Sequence, residues 1–185
     1  MSTRDRIVDA AATVMRDLGV VKSTTKAIAR AAGCSEALLY KHFPSKQELF
    51  AAVLRERLPQ PLADVRPGEG DLRENLERAV VALLAFYEAG FPIAAALFGD
   101  RETLAGWRAQ SEARGGGPEA PRRLVAEYLR AEQRLGRVAP ARDVDAVASL
   151  LTGAALHEAF VASFAGRPIP DPDELARSWV AALGW

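Results

Sequence analysis

Cysteine and histidine are scarce in this chain of 185 residues: Cys34 is the only cysteine, and the two histidines are His42 and His157. A single cysteine cannot close a disulfide within the chain, and no paired Cys/His spacing suggests a structural zinc site. The sequence therefore excludes a disulfide-stapled domain and predicts neither a metal nor a cofactor. A reducing compartment, the cytoplasm, is the expected location.

Long apolar runs are also absent. No stretch reaches the ~18 to 20 uninterrupted apolar residues of a membrane helix, and the start Met-Ser-Thr-Arg-Asp-Arg lacks the apolar region of a secretory signal. The composition, 49% hydrophobic and 26% charged, is typical of globular proteins. We expect a protein without a membrane partner.

Common catalytic signatures are missing as well. There is no Gly-x-Ser-x-Gly elbow, no phosphate-binding glycine loop and no His-Glu-x-x-His motif. The sequence offers no candidate catalytic residue, and we expect a protein that is not an enzyme. A small helical enzyme is the least favoured alternative.

Lysine occurs only near the N-terminus. All four lysines lie within residues 1–50, which hold eight Lys/Arg against five Asp/Glu, whereas the rest of the chain holds sixteen against nineteen. A small positive excess in one segment suits contact with phosphates there, and argues against a protein that coats DNA non-specifically.

Apolar residues recur at helical spacing along nearly the whole chain, and no segment alternates as a strand would. The fold class is therefore all-α, with about nine helices. Three short helices over residues 1–50 form one domain, and a fourth over 45–58 connects it to a Pro/Gly-rich junction at 59–70. Residues 71–185 form a second, larger helical domain, in which we expect a break near Gly90 and Pro92.

The most informative segment is residues 24–50, TTKAIARAAGCSEALLYKHFPSKQELF. Thr24 and Ser35 are suited to cap two short helices, and Gly33 lies in the turn between them. With Leu39 and Phe43 facing inward, the second of these helices presents the opposite face to solvent. An exposed helix of this kind fits the major groove of DNA.

This segment, and residues 7–54 as a whole, resembles the DNA-binding domain of the TetR family of transcription regulators. The resemblance implies that Tyr40 and Lys46 bind phosphates, and that Thr25 and Lys26 clamp the strand. The residues expected to contact DNA are Thr24, Thr25, Lys26, Ser35, Glu36, Ala37, Leu38, Tyr40, Lys41, His42 and Lys46. Leu38 and Glu36 depart from the family pattern, and Glu36 is tolerable in the groove if it accepts a hydrogen bond from a cytosine amine.

The resemblance also implies a small-molecule effector pocket and a dimer interface in the C-terminal domain. The candidate pocket residues carry aromatic rings and lie on the middle helices and the helix that follows them: Phe86, Tyr87, Phe91, Phe98, Trp107, Tyr128, His157 and Phe160. The candidate dimer residues form apolar stripes on the last two helices: Val144, Val147, Leu151, Ala155, Leu175, Trp179 and Leu183. Core packing is the competing interpretation for the pocket residues.

The predicted function is sequence-specific regulation of transcription by a homodimer on double-stranded operator DNA. The resemblance favours a repressor that a small apolar or aromatic effector releases from a pseudo-palindromic operator. The alternative is an adaptor that uses the helix-turn-helix fold for protein contacts. The sequence leaves open the operator, the effector and the sign of regulation.

Overall fold

The computed structural model describes residues 1–19, 22–99, 101–113 and 116–184, without the side chains at 96, 102, 103 and 110–113. The described residues contain nine α-helices and no strand, which confirms the all-α prediction. The helices are α1 (Thr3–Leu18), α2 (Thr25–Ala31), α3 (Glu36–His42), α4 (Lys46–Glu56), α5 (Leu72–Phe98), α6 (Arg101–Ala113), α7 (Ala120–Arg134), α8 (Val144–Ala165) and α9 (Pro172–Ala182).

Short polar side chains start most of these helices, as local sequence predicts. Each accepts a hydrogen bond from a backbone N–H of the first turn, which would otherwise lack a partner. The caps are Ser2 of α1, Thr24 of α2, Ser35 of α3, Ser45 of α4, Asp143 of α8 and Asp171 of α9.

Helix α5 differs from the sequence prediction, because it continues through Gly90 and Pro92 to Phe98. A proline inside a helix removes one backbone donor and crowds the preceding turn. The residues after it keep the helix because their apolar side chains are packed: Ile93 and Leu97 are buried. Tertiary packing here outweighs the two helix-breaking residues.

The chain divides into two compact units. The first, here called the head, comprises Met1–Leu58 and the segment from Pro92 through α6. The second, the body, comprises Pro59–Phe91 and the chain from residue 116 onward. Sequence reasoning placed the whole of 71–185 in one domain, whereas the end of α5 and α6 pack with the N-terminal helices.

The head has its own apolar core. Helices α1 to α4 enclose it, and the end of α5 adds two side chains. Its buried members include Ile7, Ile28, Leu39, Phe43, Leu49, Phe50, Ile93 and Leu97. Cys34 is half-buried against this core. The three short helices are therefore held by packing with longer neighbours, since helices of this length are marginal alone.

The body is built around α5, α7 and α8, whose buried side chains form one cluster. By length and composition alone, Leu72–Ala95 and Val144–Ala165 are apolar enough to cross a membrane. Both helices supply that cluster, with Leu76, Val80, Leu83 and Leu84 from α5 and Val147, Leu151 and Ala155 from α8. Core helices of a folded unit pass the same test of length and apolarity.

Candidate nucleic-acid interface

The turn between α2 and α3 sets the angle between these two helices. Gly33 adopts φ +64°, a left-handed conformation that costs glycine little and other residues more. The Cys34 N–H donates to the Ala29 carbonyl at 3.0 Å, which closes the turn. The Ser35 hydroxyl then accepts from the Leu38 N–H at 3.1 Å and starts α3.

One face of α3 is anchored in the head and the other is open. Leu39 is fully buried and Phe43 is 3% exposed. On the open side, Glu36, Ala37, Tyr40, Lys41 and His42 are exposed, and Leu38 is partly exposed. The orientation predicted from helical spacing is therefore the one observed, and it leaves a seven-residue helix free to enter a groove.

The first residues of α2 and α3 are joined by a hydrogen bond. The Thr25 hydroxyl donates to Glu36 Oε1 at 2.6 Å. The Tyr40 hydroxyl lies 3.4 Å from the same Thr25 oxygen. Sequence reasoning had placed all three side chains at the DNA surface without foreseeing this contact, which joins residues eleven positions apart.

Lysines flank this cluster. Lys26 and Lys41 are exposed, and Lys46 is half-buried at the start of α4. The Lys46 ammonium lies 5.0 Å from the centre of the Phe50 ring, within the range of a cation–π interaction. Burial lowers the pKa of Lys46. Lys46 is the first residue of α4 and directly follows the Ser45 cap.

Arg4 and Glu56 were not singled out from the sequence. They support α3 on the side opposite its open face. The Arg4 guanidinium lies 5.2 Å from the Phe43 ring at the end of α3 and binds the Glu56 carboxylate through two hydrogen bonds. Arg57 and Asp9 form a second bridge between the N-terminal helix and the residues after α4, at 2.6 Å. No sequence signal pairs residues so far apart in the chain.

Comparison with known proteins agrees with this geometry. Residues 7–53 match the sequence family described as "Bacterial regulatory proteins, tetR family". An uncharacterized HTH-type transcriptional regulator of Mycobacterium tuberculosis is 37% identical over 81 residues, 44% of this chain and 42% of that protein. The HTH-type transcriptional regulator SrpR of Pseudomonas putida is 40% identical over 82 residues, 44% of this chain and 38% of SrpR.

Over residues 7–53, this chain is similar to the TetR family of regulators. The fold is similar to that of a TetR-family transcriptional regulator from Mesorhizobium loti, with a TM-score of 0.74 over 97% of this chain and 94% of that protein, at 20% identity. The sequence match to the curated relatives, by contrast, spans only about two fifths of their length.

The eight predicted effector residues do not form one group. Phe98 is exposed, and Trp107 packs against the head core. In the body, Phe86 and Tyr87 pack edge to face at 5.2 Å, as do Phe91 and Phe160 at 5.8 Å. Tyr128 is buried and its hydroxyl accepts from Asn75 at 3.1 Å, whereas His157 is exposed.

A cleft of about 560 Å³ lies elsewhere in the body. It is bounded by the 59–70 junction, α5 and α9, and its lining includes Pro61, Val65, Arg78, Val81, Ala176 and Arg177. None of the eight predicted effector residues lines it. Periodicity could not find this cleft, because the junction residues that close it belong to no helix.

The α8 residues predicted for a dimer interface are buried within the single chain. Val144, Val147, Leu151 and Ala155 are at most 5% exposed and lie in the body's own core. The α9 residues Leu175, Trp179 and Leu183 are partly buried against the same core. The open stripe of α8 is on another face and consists of Leu150, Gly153, His157, Phe160 and Phe164. Because α8 is apolar almost all round, spacing alone could not show which stripe faces inward.

Proposed function

We propose that this protein is a sequence-specific DNA-binding transcription regulator of the cytoplasm, which inserts α3 into the major groove of an operator. One observation carries the proposal: α3 is anchored by Leu39 and Phe43, and its opposite side presents an uncovered row of polar and basic side chains. A helix-turn-helix reader needs both properties, since the anchor sets the angle and the open face meets the bases.

Different side chains around α3 are suited to DNA affinity and to sequence specificity. Lys26, Lys41 and Lys46 flank the open face and are suited to phosphates, which carry most of the affinity and its salt dependence. The exposed Tyr40 hydroxyl is suited to the same task. Ala37, Leu38 and His42 are candidates for contacts with base edges, together with Glu36.

The proposal includes a homodimer, because two heads about one DNA turn, ~34 Å, apart read the two halves of an inverted repeat. The open stripe of α8 supports it. Leu150 is 64% exposed and Phe164 is 86% exposed, an unusual amount of apolar surface for one helix face of an isolated chain. We assign the interface to this stripe.

Release by a small effector is the regulatory part of the proposal. An effector lowers operator affinity only if it binds more tightly to a state in which the two heads are wrongly spaced for the operator. The size of the decrease is set by that difference in effector affinity. The cleft of about 560 Å³ in the body has the size of a small-molecule site. Its lining mixes apolar side chains with six charged ones. We propose this cleft as a site to test beside the aromatic cluster around Phe91 and Phe160.

The test is selection of binding sites from a random duplex pool, followed by fluorescence anisotropy of the selected site at two salt concentrations. We expect an enriched inverted repeat that is bound at least a thousandfold more tightly than random DNA, at about 10⁻⁸ M or below. Lys46→Ala should weaken all sequences about equally and reduce the salt slope by about 1.

Arg134→Ala serves as the matched control, because Arg134 is an exposed cation at the end of α7 in the body. It should leave both the affinity and the salt slope unchanged. If the pool yields no enriched sequence and the protein shows no salt-dependent affinity for DNA, the proposal is wrong and an adaptor role becomes the better explanation.

A further inference from the structure

We infer that Glu36 selects a cytosine in each operator half-site and that Thr25 positions it for this task. The inference rests on the DNA-binding function proposed above and goes beyond it by naming a base and the residue that reads it. It also gives Thr25 a role different from the phosphate clamp that the family resemblance implies.

The first step is the use of the Thr25 proton. A threonine hydroxyl has one hydrogen to donate, and at 2.6 Å the Glu36 carboxylate receives it. Hydroxyl–carboxylate bonds are about 2.5–2.7 Å and are charge-assisted, which makes them stronger than bonds between neutral groups. The Thr25 hydroxyl is the only hydrogen-bond donor of that side chain. A phosphate could bind it only by displacing the Glu36 carboxylate.

The second step concerns Tyr40. Its hydroxyl is 3.4 Å from the Thr25 oxygen, too far for more than a weak bond. Because the Thr25 proton points to Glu36, only Tyr40 can be the donor in that weak contact. Tyr40 can therefore turn its hydroxyl from Thr25 to donate a hydrogen bond to a phosphate, and the Thr25–Glu36 bond survives when Tyr40 binds DNA.

The third step is the orientation of the carboxylate. Thr25 is the first residue of α2 and Glu36 the first of α3, so their bond ties the side chain to a second helix as well as to its own. Within the described part of the chain, the other carboxylate oxygen, Oε2, has no hydrogen-bond partner. Glu36 therefore enters the groove with one oxygen held and one acceptor open.

The fourth step is the choice of base. In the major groove, cytosine offers the N4 amine as a donor without an acceptor on the same base edge, whereas adenine places its N7 acceptor beside the N6 amine. A carboxylate accepts from cytosine N4 but is repelled by adenine N7, and guanine and thymine present acceptors only. An amide at the same position would reverse the preference, because it donates to N7 while it accepts from N6.

The experiment compares the wild-type protein with Glu36→Gln and Thr25→Val in site selection, and then measures affinity for duplexes changed at single positions. We expect the wild-type half-site to contain one C·G pair at which E36Q selects A·T, with the other positions unchanged. At that pair, wild type should prefer cytosine by about tenfold, within the range for a specific base contact.

T25V separates positioning from clamping. If Thr25 positions Glu36, T25V reduces the preference at that one pair to about twofold while the affinity for duplexes already changed there stays the same. If Thr25 instead clamps a phosphate, T25V weakens every duplex by the same factor and leaves the cytosine preference intact, which overturns the inference. An E36Q half-site identical to that of wild type also overturns it.

Two head variants act as controls. Asp17→Asn removes one negative charge from an exposed position at the end of α1, and Thr13→Val removes an exposed hydroxyl from the same helix. Neither should change the selected sequence. Thermal melting of all variants distinguishes a loss of base specificity from a loss of folded protein. A wild-type protein that selects no sequence at all refutes the DNA-binding function itself, an outcome distinct from a cytosine-free consensus.

Discussion

The guanidinium of Arg4 on α1 donates two hydrogen bonds to the carboxylate of Glu56 on α4, at 2.8 and 2.7 Å. The same guanidinium lies over the ring of Phe43, which ends α3. This paired contact holds the last turn of α4 to α1 and supports α3 from the side away from its open face.

The Arg4–Glu56 pair should make the head sensitive to acid. Hydrogen bonding to Arg4 lowers the pKa of Glu56 from 4.5 to about 2. A depressed carboxyl pKa contributes stability above the unfolded value, and this stability is lost as the pH falls from 4.5 toward 2. We expect Glu56→Gln to cost about 0.2–1 kcal/mol at pH 7, because water still reaches Arg4.

Denaturant unfolding at pH 7 and pH 3 would check this prediction. The difference between wild type and E56Q should shrink at pH 3, because the wild-type carboxylate has by then lost part of its contribution to stability. Glu127→Gln is the control, since Glu127 is an exposed carboxylate on α7. Equal losses for E56Q at both pH values would contradict the role assigned to the pair.

Gly33 should be sensitive to replacement for a conformational reason alone. An added Cβ would meet nothing within 4 Å, so the cost of Gly33→Ala comes from the φ of +64° and should be about 1 kcal/mol. Asn tolerates this conformation better, and Gly33→Asn should cost less. Gly106→Ala, in an open helical position of α6, should instead stabilise by up to about 1 kcal/mol.

Thermal unfolding of these three variants, with operator affinity measured beside it, would check the prediction. G33A should lower the melting temperature and weaken binding, because the turn sets the angle of α3. A G33A protein as stable as wild type would show that the turn relaxes to a conformation open to all residues.

Tyr128 should make the body sensitive to alkali. Burial, together with the negative charge of Glu132, raises the pKa of Tyr128 from its ordinary value of 10.0 to about 12. The native state then holds a proton that the unfolded chain has released, so the contribution is complete below pH 10 and is lost as the pH rises from 10 to about 12. We expect Tyr128→Phe to unfold with a shallower pH dependence over this interval.

The measurement is urea unfolding at pH 8 and pH 11. At pH 8, Y128F should lose about 1–3 kcal/mol, because the buried Asn75 amide loses a hydrogen-bond partner; this contact is 3.1 Å long in the native protein. Tyr40→Phe is the control for a tyrosine that is 45% exposed. An unchanged pH dependence in Y128F would assign the alkaline transition to another group.

The proposed dimer stripe can be tested by introducing a charged side chain into it. Glutamate at position 150 or 164 would place like charges in an apolar contact and should shift sedimentation from dimer to monomer. Leu124→Glu changes an exposed leucine on α7 and should leave the dimer intact. If Leu150→Glu and Phe164→Glu both remain dimeric, the interface lies on another face.

Much of the head could be predicted from the sequence because its signals are local. Thr24, Ser35 and Ser45 cap helices within three residues of themselves, and Leu39 and Phe43 mark the inner face of α3 by spacing alone. The break expected in α5 was wrong for the opposite reason: Ile93 and Leu97 keep the helix intact through contacts with a core that is distant in the chain.

The sequence by itself determined the helical class, the turn at Gly33 and the open face of α3, since each depends on the order of neighbouring residues. Only the tertiary structure decided that Thr25 bonds Glu36, that Arg4 braces Phe43, and that α8 turns Val147 inward and Leu150 outward. Those relations depend on how separate helices pack, and a helix that is apolar on most sides carries no local record of which side its neighbours will cover.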